Sequence, residues 1–259
     1  MAPAVAVKAV YRAVRKHGEL AWGTPDAPIY GENTLNSMQR ALESMAACAP
    51  DHAQWVFCDV GAGNGGPAMH AAAWRPGCVA YGLEVVKLRW WFSQCAQLAL
   101  LDHADDAVRE AASRVVLAHA DVSGLQDFGP CTHVYSFDAC FEPELLSKVA
   151  GAVARSTHVK CYASFRKLSE FHKTQLQGRL QEHEALKMVM VGSGETKTLH
   201  VFRVLPLSER EGEREEGRVA WDELVREAKP REGEDARKRT KRARDENMPA
   251  SGKRVRVRV

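Results

Sequence analysis

Residues Asp59-Val60-Gly61-Ala62-Gly63-Asn64-Gly65 constrain this chain most. A short apolar run, Trp55 to Cys58, leads in, and Met69-His70-Ala71-Ala72-Ala73, of helical composition, leads out. A strand, a glycine turn and a helix in that order form a cradle for a nucleotide-like ligand. The glycines let the backbone come close, and the helix start offers free N–H groups. Gly61, Gly63 and Gly66 also satisfy the G-x-G-x-x-G spacing of dinucleotide-binding proteins, a weak signal alone. Asp59 narrows the choice. A carboxylate just before the turn repels a pyrophosphate and attracts an amino group.

The rest of the chain punctuates into further units. Residues 4–20 read as a helix with a basic face, and Leu35 to Met45 as a second, with Leu35, Met38, Leu42 and Met45 on one side. Strands are expected at 55–59, 78–83, 114–120, 133–137 and 157–165, and an antiparallel pair at 185–191 and 198–205. Helices are expected after the glycine turn and at Leu88 to Leu101 and Pro143 to Ala154. Strands alternating with helices imply a largely parallel α/β sheet covered on both faces. Ligands of such sheets sit beyond the carboxyl ends of the strands.

Asp59, Glu84, Asp121 and Asp138 each fall at an expected strand end. S-adenosylmethionine uses such a series. Its methionine portion needs the close turn of Gly61, Gly63 and Gly65. Its ribose diol needs an acceptor, Glu84, and its adenine amino group another, Asp121, with Val122 as apolar surface. Its ammonium needs acidic partners, Asp59 and Asp138. Three of these acids also have a plainer role open to them: Glu84 and Asp121 as solvated loop acids, Asp138 as a helix cap. Trp90, Trp91 and Phe92 read as packing.

Composition removes several classes. No apolar run approaches membrane-spanning length, so no membrane partner is expected. Lys8, Arg12, Arg15 and Lys16 interrupt any secretory apolar core. The seven cysteines include no C-x-x-C pair, which suits reduced thiols and leaves a structural zinc site unsupported, so no metal is expected. Charge is uneven. Residues 1–205 carry 20 basic and 20 acidic groups, 206–228 carry 4 and 8, and 229–259 carry 12 and 5. The chain is expected to have a neutral folded body, an acidic hinge with a frayed helix near 219–229, and a disordered basic tail.

Several segments, in order, resemble the non-SET histone H3 lysine methyltransferases of the disruptor-of-telomeric-silencing type. They are Ile29-Tyr30-Gly31-Glu32-Asn33-Thr34, the glycine turn, Tyr81-Gly82-Leu83-Glu84, Asp121, and Phe141-Glu142-Pro143-Glu144. Val159 to Phe165 and Leu199-His200 continue the resemblance, which spans roughly residues 25–205. The chain departs from the family at Phe137-Asp138-Ala139, where Asp138 replaces an active-site asparagine, and at Lys197-Thr198, where tyrosines are usual.

The resemblance implies a Rossmann-like seven-stranded class I methyltransferase fold. Residues 1–54 would form a helical segment with a cofactor lid, 55–207 the S-adenosylmethionine-binding core, and 208–259 the charged tail. Tyr30 and Glu32 would form the lid near the cofactor's methionine end, Asp138 and Phe141 would border the amine channel, and Glu32, Asp138 and Phe141 would be the catalytic residues. The partner would be histone H3 in nucleosomes, with DNA held through residues 229–259, in the nucleus, by a monomeric enzyme. Methylation of another protein or of RNA, or a catalytically weak chromatin-binding module, are the competing readings.

Overall fold

The computed structural model describes residues 2–18, 31–50, 54–206 and 219–226. Seven strands form one sheet: β1 (Val56–Val60), β2 (Val79–Glu84), β3 (Val115–His119), β4 (His133–Ser136), β5 (Cys161–Ser164), β6 (Leu180–Val189) and β7 (Thr196–Val204). Their order is β3-β2-β1-β4-β5-β7-β6. The first five run parallel, and β7 lies antiparallel between β5 and β6. The order reverses between β1 and β4, which opens a crevice at the carboxyl ends of those strands. This is the mostly parallel sheet that the alternation of elements implied, with the seven-stranded Rossmann-like form that the resemblance implied.

Side chains alternate across the sheet and build two cores. Phe57, Ala80, Leu117 and Tyr135 face α1 (Ala2–Gly18), α2 (Leu35–Cys48), α3 (Gly66–Trp74), α4 (Lys87–Leu101) and α5 (Asp106–Ser113). Cys58, Leu83, Val134 and Tyr162 face α6 (Pro143–Arg155) and the short α7 (Trp221–Val225). Two helix N-termini are capped by side chains. Thr34 caps α2 by accepting from Ser37 N–H at 3.3 Å, and Asp105 caps α5 by accepting from Ala107 N–H at 2.8 Å. The exposed positions of α1 include Lys8, Arg12, Arg15 and Lys16, its basic face.

Several boundaries differ from the sequence reading. The third strand spans 115–119 and the fifth 161–164, and the closing pair begins earlier, at Leu180 and Thr196. Helix α5 was not foreseen. The tail boundary also moves. Val219 pairs with Leu125, and Trp221 and Val225 are buried in the second core, so 219–226 belong to the folded body. The basic segment 229–259 lies outside the described residues. Among those described, no helix is long and apolar enough to cross a membrane.

Candidate cofactor site

Strand β1 delivers the chain into the glycine turn, where Gly61, Gly63 and Gly65 adopt φ of 75°, 55° and 81°. Only glycine takes such angles without steric cost. The turn is tied to β2, since Gly61 N–H and Ala62 N–H both donate to Leu83 O at 2.9 Å. Glu84, at the end of β2, grips it from the side. One carboxylate oxygen accepts from Gly63 N–H and the other from Val86 N–H, each at 2.7 Å. Each oxygen keeps a further lone pair for a ligand donor.

Two cavities open along the carboxyl ends of the strands and meet at shared walls, Gly31, Gly61 and Phe137. The first is lined by Tyr11, Glu32, Asn33, Asp59 and Tyr135 and reaches the start of α3 at Gly66. The second is lined by Glu84, Asp121, Val122, Cys140, Phe141 and Leu145. A Cβ added to Gly61 would lie 3.7 Å from the Phe141 ring, so that ring stands over the turn. The groove is elongated, polar at both ends and apolar where the two cavities meet.

The first cavity is built for a positive charge. Asp59 is 1% exposed, and its Oδ2 has no hydrogen-bond partner among the described residues. Burial, and then the neighbouring Glu84, push its carboxyl well above the usual carboxylate range. An ammonium group would reverse both penalties. The start of α3 supplies the opposite polarity in the same cavity, which suits a zwitterionic amino-acid end.

Glu32 lies beside the turn. Its side chain accepts from Asn64 Nδ2 at 3.2 Å, and its carbonyl accepts from Val191 N–H at 2.7 Å. Asn33 bridges Met190, so residues 31–34 lie against the end of β6. Tyr30 lies outside the described residues. Asp121 is exposed and caps the 3-10 turn Val122–Gly124, accepting from Ser123 N–H at 2.8 Å.

Asp138 requires a correction. It is fully buried and lines neither cavity. Its carboxylate accepts from Ser164 Oγ at 2.5 Å, Phe165 N–H at 2.8 Å and Tyr162 Oη at 3.2 Å. It therefore locks the turn after β4 onto β5, and neither holds an ammonium nor borders an amine channel. Arg166 completes the lock, donating to the carbonyls of Asp138 at 3.1 Å and Phe141 at 2.6 Å.

Tyr11, Asn33, Tyr135 and Phe137 join the site without having been singled out. Asn33 adjoins Glu32, and Phe137 adjoins a strand end, so position along the chain pointed toward both. Tyr11 reaches the site only through the packing of α1 on α3.

No family model matches the chain, and no curated protein does. Solved structures with a similar course exist. TrmN from Thermus thermophilus is 16% identical, with a TM-score of 0.46; the match covers 63% of this chain and 48% of TrmN, about half its length. Geranyl diphosphate C-methyltransferase from Streptomyces coelicolor A3(2), solved with S-adenosyl-L-homocysteine, is 12% identical, with a TM-score of 0.46 over 66% of this chain and 77% of that one. MccD protein is 11% identical, with a TM-score of 0.47 over 67% of this chain and all of that one, 100%. The strand order stands on the sheet's own pairing.

Proposed function

We propose that this chain is an S-adenosylmethionine-dependent methyltransferase. One observation carries the reading. A single groove has, at one end, a buried Asp59 carboxylate oxygen with no hydrogen-bond partner among the described residues, and Glu84, Asp121 and Val122 at the other, with a three-glycine turn between them. When bound, the cofactor supplies a methyl group on a sulfonium, ready for direct transfer to a nucleophile. The chain's residues do the rest. Gly61, Gly63 and Gly65 admit the cofactor against the backbone, and Asp59 accepts from its ammonium. Glu84 accepts from the ribose hydroxyls, Asp121 from the adenine amino group, and Val122 gives the base an apolar floor. Phe137 and Phe141 exclude water from the middle of the groove, and Glu32 closes its methionine end.

The acceptor we propose is a lysine amine of the globular core of histone H3 in nucleosomes. The support is the resemblance carried by Tyr30-Gly31-Glu32 and Phe141-Glu142-Pro143-Glu144. The basic segment 229–259, net +7, would act in the nucleus and hold nucleosomal DNA, with affinity that falls as salt rises.

Calorimetry with S-adenosylhomocysteine tests the cofactor, and labelled methyl transfer to nucleosomes tests the acceptor. Glu84→Ala removes the grip on Gly63 and the ribose acceptor, so affinity should fall by roughly a hundredfold. Undiminished binding would mean that the groove is not the site. Label appearing on RNA or on a non-histone protein, with nucleosomes unlabelled, would keep the cofactor reading and replace the acceptor.

A further inference from the structure

The first cavity is backed by a chain of hydrogen bonds whose direction can be read from one end to the other. Gln39 Nε2 donates to Glu43 Oε1 at 2.8 Å, and a carboxylate oxygen can only accept. That fixes the Gln39 amide, so its Oε1 faces His70 Nε2 at 2.9 Å. His70 must therefore carry its proton on Nε2. Burial lowers its pKa to about 3, so the ring is neutral and has one proton. Its bare Nδ1 lies 3.1 Å from Tyr11 Oη, which must donate to it. The phenol proton is thus committed away from the cavity, and the lone pairs of Tyr11 Oη remain for whatever the cavity holds.

Two other acceptors line the same space. Asp59 Oδ2 and Asn33 Oδ1 are both buried and have no hydrogen-bond partner among the described residues. Among the described residues lining the cavity there is no cationic side chain. Tyr11 feels the crowding of acceptors: burial first, then Glu32 and Asp59, push its ionisation far above the ordinary phenol range. A primary ammonium has three N–H donors, and the cavity offers these three acceptors.

We infer that Tyr11 binds the ammonium end of the cofactor, and that His70 and Gln39 are positioning residues which hold its hydroxyl as an acceptor. The inference rests on the cofactor reading above. It goes further by making the groove selective for a cationic amine over a neutral end of the same shape. A chain that merely satisfied buried polar groups would show no such selectivity.

The experiment is calorimetry with S-adenosylhomocysteine and with its analogue lacking the α-amino group. Tyr11→Phe should weaken the parent ligand about tenfold to a hundredfold, the range of hydrogen bonds to charged groups, and leave the analogue's affinity unchanged. Gln39→Leu should weaken the parent ligand by part of that amount, because His70 is then free to place its proton on Nδ1. Adding Gln39→Leu to Tyr11→Phe should cost nothing more. The imidazole nitrogen shifts of His70 should report an Nε2–H ring that does not titrate between pH 6 and 9. Equal losses on both ligands, or no loss on either, would overturn the role of Tyr11 while leaving the cofactor reading intact. Wild-type protein that binds neither ligand would overturn both.

Discussion

A carboxylate with no exposed surface needs donors, and Asp138 has three, from Tyr162, Ser164 and Phe165. Burial outweighs them and raises its pKa from 3.8 to about 6. The native state therefore keeps a proton between about pH 4 and pH 6 that the unfolded chain has released. The stability this proton contributes is present at the acid end of that window and is lost as pH rises through the native pKa, by an amount on the order of 3 kcal/mol. Asp138→Asn removes the titration and keeps an acceptor for Phe165 N–H. Relative to wild type, its stability in urea should therefore improve from pH 4 to pH 7; a constant difference between the two would refute the argument. The sequence marked Asp138 as an acid at a strand end, as it marked Asp59. It could not say which way either pointed. Asp59 shares a sheet face with Phe57 and Tyr135 and meets the cavity. Asp138 lies beyond its strand, where Ser164 and Tyr162 of β5 draw it inward.

Elements were legible where their own residues fix them and blurred where partners do. The turn from β1 to α3 declares itself through glycines. Strand β6 starts at Leu180, yet Gln181 to Ala185 are exposed edge positions with no apolar alternation, so pairing with β7 defines them. Helix α5 did carry a signal, Asp105 as cap and Val108, Ala111 and Ala112 on one face, but it is short. A close fit between the glycine turn and the sheet is at Gly82 of β2. A Cβ there would stand 2.9 Å from Ala62 Cβ of the glycine turn and 2.7 Å from Leu117 Cδ2. Leu117 can rotate, whereas Ala62 is held by its bond to Leu83 O. Gly82→Ala should push the turn off β2, cost about 1–3 kcal/mol of stability and weaken S-adenosylhomocysteine binding. Calorimetry and urea unfolding on one sample check both. Stability lost with affinity retained would show that the turn does not depend on this contact for its shape.

At the scale of the whole molecule, the charge profile suggested that folding stops near residue 207, because apolar residues become sparse there. Two side chains reverse that conclusion. Trp221 is 4% exposed and packs edge-on against Tyr81, with ring centroids 5.0 Å apart. It fills a place cleared by Gly129, where a Cβ would fall 2.5 Å from the indole Cγ. Val225 is buried beside it in the second core. The backbone closes the junction: Val219 N–H donates to Gly124 O, and Gln126 N–H donates to Val219 O, each at 2.9 Å. Gly124 ends the turn that begins at Val122, so this segment braces the floor of the second cavity from behind. Trp221→Ala should therefore cost stability, up to about 3–5 kcal/mol if the cavity left behind does not collapse. It should also weaken ligand binding, because the Val122 turn loses its support. Ending the chain after residue 206 should reproduce both losses, and ending it after residue 226 should reproduce neither. If Trp221→Ala unfolds at the same urea concentration as wild type, segment 219–226 is an adornment of the fold and the boundary near 207 is the real one.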